Sequence, residues 1–177
     1  HPILFQVNTR VLLTRISRQK GLPVTLDDIP EPELEQWAGL GFDWIYLLSV
    51  WQTGKTGRHI SVSHNGWRKE FQETLGDLTE EDIAGSGFAV TGYHVAEAIG
   101  GREALIKFRE RLRKYGMKLM LDFVPNHVAP DHPWIKKHPD YFIRGSEEDL
   151  KAFPENYMYV NLDYGDLIFA HGRDPYF

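Results

Sequence analysis

The residues of this chain best suited to chemistry are gathered in one hexapeptide, Asp122-Phe123-Val124-Pro125-Asn126-His127. A carboxylate, an amide and an imidazole within six positions can donate and accept hydrogen bonds to a ligand or offer oxygen and nitrogen to an ion. The apolar run 117–123 (MKLMLDF) leads directly into it and reads as a strand. In parallel α/β folds the carboxyl ends of the strands surround the site, so polar side chains placed there point to function. Asp122, Val124 and Asn126 share a strand parity, and Pro125 ends the regular ladder and lets His127 turn inward. The same residues also admit a purely structural reading, in which Asp122 and Asn126 bond a tight turn and His127 packs beside it. Two other pairs, His59 with His64 and Asp131 with His132, can be drawn as metal ligands, but neither matches the spacing of a helical ligand pair and neither is read as a site.

The elements that must position the hexapeptide alternate between strand and helix. Residues 3–9 (ILFQVNT) alternate loosely and suit a buried strand, and the basic stretch 14–20 before Gly21 reads as a connection. Asp27-Asp28-Ile29-Pro30-Glu31-Pro32 opens a helix, with prolines and acids in the first turn and Leu34, Trp37 and Ala38 on one face, and Gly39 and Gly41 stop it. The run 44–50 (WIYLLSV) is too short for a helix and suits a strand covered on both faces. Residues 51–92 form a long, glycine-punctuated excursion in which Thr79-Glu80-Glu81-Asp82 could cap a short helix. The clearest helix is 101–115, with Ala104, Leu105, Phe108 and Leu112 on one stripe and Gly116 beyond it. Its basic residues, within the run Arg109–Lys118, read as a solvated face. From Val128 onward the chain reads as loop, rich in proline and aromatics, including a loop at 171–174.

Composition narrows the function. The chain has 177 residues, a formal charge of −5, 42% hydrophobic and 13% aromatic residues, and no cysteine. That is the make-up of a folded soluble domain, not of a disordered one. The acidic balance argues against nucleic-acid and anionic-membrane partners, and no segment has the roughly 18 apolar residues of a membrane span. Zero cysteines exclude disulfides, zinc–thiolate sites and a cysteine nucleophile. With no signal-like N-terminus, the expected location is cytoplasmic. A complete (β/α)8 barrel needs about 250 residues. The starts and stops at His1 and Phe177 read as cuts and not as natural termini.

The motif DFVPNH, after the strand KLML and the helix ending RKYGM, resembles the first conserved region of the α-amylase superfamily, the retaining α-glucan hydrolases and transglycosylases. Residues 3–10 (ILFQVNTR) resemble that family's first strand and 37–50 (WAGLGFDWIYLLSV) its first helix, turn and second strand. Gly92-Tyr93-His94-Val95 resembles its Gly-Tyr-Asp-Val segment, with His94 where Asp is usual, and Asp131-His132-Pro133-Trp134 is also similar. The resemblance implies an incomplete TIM (β/α)8 barrel, consisting of the first three β/α units in residues 1–127 and, in 128–177, the start of the domain inserted after strand three.

It also implies roles. His127 would donate hydrogen bonds to the sugar at the cleavage point, Tyr93 would stack on that sugar, and Asp122 would orient the site without being the nucleophile. Asn126 matches a position that gives an oxygen to calcium in calcium-dependent members. Trp51, Trp67 and Trp134 are expected to cover the sheet more than to bind sugar. The partner implied is an α-glucan or oligosaccharide. Retaining chemistry needs two carboxylates about 5–5.5 Å apart, and the family carries both after its fourth and fifth strands, motifs that do not occur in this sequence. The implied enzyme is an α-glucan hydrolase acting on α-1,4 bonds. An α-glucan transglycosylase or sucrose-using relative is the alternative within the enzyme class, and a non-catalytic binding or scaffold relative the alternative outside it. The 177-residue chain by itself is expected to be inert and, with two open strand edges, either to form homo-oligomers or to keep a poorly ordered stretch.

Overall fold

In a computed structural model the chain is described at residues 1–163 and 165–171. It divides into two compact units, one comprising residues 1–131 and the other beginning at His132.

The first unit opens with β1 (Leu4–Asn8), which runs straight into α1 (Thr9–Lys20). Asn8 Oδ1 accepts from Val11 N–H at 3.3 Å and caps the helix, and Gly21 ends it at φ 69°, a left-handed conformation that glycine adopts without strain. The sequence reading of 14–20 as a connection is thereby corrected. Leu12, Leu13 and Ile16 are buried on one face, and that short stripe is enough to dock a helix whose other positions are polar. After a 3-10 turn at Leu26–Asp28 comes α2 (Glu31–Gly39), with acids in its first turn and Leu34 and Trp37 buried. Next are β2 (Trp44–Leu48), β3 (Trp51–Thr53), α3 (Lys55–Ser63), α4 (Asn65–Thr74) and β4 (Val90–Val95). The unit continues with α5 (Gly101–Lys114) and β5 (Lys118–Leu121).

β1, β2 and β5 form a parallel sheet with β2 in the middle, Leu4 opposite Trp44 and Trp44 opposite Lys118. One face carries Val7, Ile45 and Leu47 into a core with Ile16, Leu34, Trp37, Phe108 and Leu112. Full burial of side chains of this size is worth about 1.5–3 kcal/mol each. The other face presents Leu4, Gln6, Trp44, Tyr46, Leu48 and Met120, all exposed or half-exposed. The run 44–50, expected to be covered on both faces, is therefore covered on one within this chain. The basic face of α5 is not wholly solvated either. Arg111 bonds Glu31 at 2.8 Å and the Ile29 carbonyl, and Tyr115 Oη donates to Glu31 at 2.9 Å, tying α5 to α2.

The 51–92 excursion is an elaborated hairpin. β3 and β4 pair antiparallel, with irregular register, and α3 and α4 lie between them. Thr79 N–H and Oγ1 both donate to Asp82 Oδ2, so half of the expected capping box forms, while the Asp82 N–H bonds the Thr79 carbonyl; the bonds close a turn and no helix follows.

The second unit contains α6 (Pro133–Lys137), α7 (Glu147–Ala152), and the antiparallel hairpin of β6 (Tyr157–Leu162) and β7 (Gly165–Ala170). The loop expected from Val128 onward is thus more ordered than its proline content suggests. Tyr157, Leu162, Ile168 and Phe169 are buried, and the two strands pair in register from Tyr157 opposite Ala170 to Leu162 opposite Gly165. The expected loop at 171–174 and the chain end lie, from Gly172 on, outside the described residues.

Candidate functional site

The hexapeptide begins where β5 ends, so Asp122 sits just past the carboxyl end of the central sheet. Its side chain is buried at 6% exposure, and both carboxylate oxygens are engaged. Tyr46 Oη donates to Oδ1 at 2.5 Å and Ser49 N–H donates to Oδ2 at 2.6 Å. The Trp51 indole N–H donates to the Asp122 carbonyl at 2.9 Å. These bonds account for the buried charge, since a carboxylate is tolerated in the interior when its lone pairs are satisfied. The hydrogen bond to Asp122 pushes the Tyr46 hydroxyl up to about 12, with burial and the negative charge adding to the effect.

Ser49 is buried and holds φ 66°, the left-handed region a non-glycine residue rarely visits. Its N–H must turn toward Asp122 to make that bond, and the bond is a compensation for the strain. Gly87 lies against the Ser49 side chain so closely that a Cβ there would overlap it.

Tyr93, on β4, is exposed, and its hydroxyl accepts from Val124 N–H at 2.8 Å. Its ring meets Trp51 edge-on with centroids 5.3 Å apart and lies 5.6 Å from Phe123 at a tilt of 37°. Tyr93 and Asp122 are therefore brought to one place by the β3–β4 hairpin. His127 and Asn126 are exposed, and the Asn126 amide nitrogen lies 3.4 Å from His127 Nδ1. Among the described residues no hydrogen bond or ring contact joins His127 to Tyr93 or Asp122. The expected inward turn of His127 is thus an exposed position at the surface.

The remaining candidates have structural work. Asp131 accepts from Thr56 N–H at 3.2 Å. His64 Nδ1 accepts from Trp67 N–H at 3.2 Å, and its ring stacks on Trp67 at 4.4 Å, while His132 Nδ1 accepts from Trp134 N–H at 3.1 Å. Trp51 is partly covered in the site, whereas Trp67 and Trp134 remain exposed at 43% and 49% and are not sheet cover. No group of three or more His, Asp or Glu side chains that could hold a metal occurs among the described residues. Calcium takes about six to eight oxygens, so Asn126 and its neighbours do not complete a calcium site, and no chemistry is assigned to one. Sequence reasoning missed Tyr46 and Ser49. The place of Tyr46 on the face of Asp122 depends on strand register, which the sequence does not carry, and nothing in the sequence marks Ser49 as left-handed.

The model of the alpha amylase catalytic domain matches residues 33–164, about three quarters of the chain. The chain belongs to the alpha-amylase family. An alpha-1,4-glucan:maltose-1-phosphate maltosyltransferase of Pseudomonas aeruginosa is 32% identical over 152 residues, covering 79% of this chain and 20% of that protein. One of the same description from Bifidobacterium longum is 33% identical over 128 residues, covering 70% and 15%. This alpha-amylase family chain thus spans a fifth or less of the length of these relatives. Among solved structures, a noncanonic maltogenic alpha-amylase AmyB from Thermotoga neapolitana aligns at TM-score 0.55 and 22% identity, covering 96% of this chain and 32% of that one. An isomaltulose synthase from Klebsiella sp. LX3 aligns at TM-score 0.59 and 18% identity, covering 97% and 28%. At these identities the structures establish the alpha-amylase fold and no more. No helix among the described residues is long and apolar enough to cross a membrane.

Proposed function

We propose that this chain is the first part of the catalytic barrel of an enzyme that transfers α-1,4-linked glucose units to a glucan, a transglycosylase and not a simple hydrolase. The observation that carries the reading is the set of relatives described as maltosyltransferases, at 32% and 33% identity. The parallel β1–β2–β5 sheet, with α1 and α2 between its first two strands and α5 before its third, supports its place as the first three strands of a barrel with their connecting helices.

Within the site, the exposed ring of Tyr93 offers an apolar face to a pyranose, and Trp51 and Phe123 fix its orientation. His127 donates to sugar hydroxyls from its exposed position, a contact that strengthens as the ring approaches an oxocarbenium ion. Asp122 acts by position: with Oδ1 held by Tyr46 and Oδ2 by Ser49, it has no free oxygen with which to attack an anomeric carbon. Catalytic carboxylates come from segments other than these, and the 177-residue chain alone does not turn over. Its partner is an α-glucan, and its location the cytoplasm.

The test uses the polypeptide that contains this chain, supplied with maltose 1-phosphate and a maltooligosaccharide acceptor. Transfer releases inorganic phosphate in step with acceptors lengthened by two glucose units. Free maltose without lengthened acceptor would make the enzyme a hydrolase. No turnover of any α-glucosyl donor would favour a binding or scaffold relative.

A further inference from the structure

His127 is placed by its backbone more than by its own side chain. Its ring has one close polar neighbour among the described residues, Asn126 Nδ2 at 3.4 Å. The segment that carries it is pinned upstream at Asp122 and at Val124, whose N–H donates to Tyr93 Oη. Downstream it is pinned at Ala129, fully buried, whose N–H donates to the Val90 carbonyl at 2.8 Å, and again at Asp131. Between these points residues 125–128 make no backbone-to-backbone hydrogen bond among the described residues. The two ends are therefore the points at which the backbone of the His127 segment is tethered.

Asp131 serves a helix that is not its own. α3 begins after Gly54, which has no side chain to cap it. The donor left open at Thr56 is satisfied by Asp131 Oδ2, from a residue 75 positions away. A carboxylate there meets both an orphan N–H and the positive end of the helix dipole. Gly54 makes the approach possible, because a Cβ at that position would overlap the carboxylate.

We propose that Asp131 is a positioning residue for His127. By capping α3 from the far end of the motif segment, it closes the downstream half of the frame in which His127 is held. The frame stands on geometry alone, and its consequence for sugar binding rests on the function proposed above.

The test compares Asp131→Asn, Asp131→Ala and Gly54→Ala in the 177-residue chain by amide hydrogen exchange and by NMR of the His127 ring. Asparagine keeps an oxygen acceptor while losing the charge, and is expected to stay closer to wild type than alanine. Asp131→Ala and Gly54→Ala are expected to speed exchange at Ala129 roughly fivefold, the equivalent of one lost cap. They also shift the His127 ring signals, while exchange in β1, β2 and β5 is unchanged. Unaltered Ala129 exchange and His127 signals in Asp131→Ala would overturn the proposal. So would Asp131→Asn as disruptive as Asp131→Ala, or faster exchange across all strands together. Failure of the sugar-binding reading is seen separately, as His127→Ala without effect on glucan binding while the Asp131 variants still loosen Ala129.

Discussion

Tyr46 on β2 donates its phenolic hydrogen to Asp122 beyond β5 at 2.5 Å, and the two strands are neighbours in the sheet. This bond fixes a buried carboxylate at the end of the strand that leads to the motif. Replacing Tyr46 by Phe leaves Oδ1 of Asp122 without that partner. A buried acceptor stripped of its donor costs about 1–3 kcal/mol, and urea unfolding of Tyr46→Phe is expected to show a loss in that range. Asp122→Asn, which keeps one oxygen acceptor but loses the charge, is expected to cost less than Asp122→Ala.

The same bond makes stability fall at alkaline pH. The folded state holds the Tyr46 hydroxyl up to about 12, above the value of about 10 for an unfolded tyrosine. Its contribution is complete below about 10 and drains away as pH rises through about 10 toward 12, because the unfolded chain releases the proton first. Ultraviolet titration should resolve a late-ionising group of tyrosines, with Tyr46 joined by Tyr115, which Glu31 also holds up to about 12. Tyr46→Phe should reduce the late step by one tyrosine, leaving that of Tyr115, and lessen the dependence of stability on pH in this window.

Ser49 and Gly87 form a second coupled pair. Gly87→Ala drives a methyl into the Ser49 side chain and is expected to destabilise by about 1–3 kcal/mol through overpacking. Ser49→Gly removes the obstacle and relaxes a left-handed residue at φ 66°. Gly87→Ala placed in the Ser49→Gly background is therefore expected to cost much less than alone, a non-additivity that denaturation of the four proteins measures.

In the three-stranded sheet, β1 and β5 each have one edge without a strand partner among the described residues. Unpaired edges of parallel strands invite association. Light scattering of the 177-residue chain is expected to report species larger than a monomer, and a concentration-independent monomer would argue that the edges are protected.

The parallel strands, α2 and α5 were legible in the sequence because their apolar positions recur at the spacing each element needs, as Ala104, Phe108 and Leu112 do along α5. α1 was half hidden: Leu12, Leu13 and Ile16 are a brief stripe among basic residues, and only the packing of the sheet reveals it. The hairpin of the second unit was masked by nearby prolines, which stand outside its strands. Of the site, Asp122 and Tyr93 could be singled out by motif. The Tyr46 and Ser49 bonds and the long-range cap by Asp131 could not, since each joins residues 73 to 76 positions apart through tertiary structure alone.

Tyr93 and His127 are both expected to contact an α-glucan, with the catalytic carboxylates supplied by other segments. NMR of maltoheptaose with the purified 177-residue chain tests both halves at once. The sugar signals are expected to broaden with the wild-type chain and less so with Tyr93→Ala and His127→Ala, with no new anomeric signals over time. New reducing-end or transfer products, or broadening indifferent to both substitutions, would contradict it.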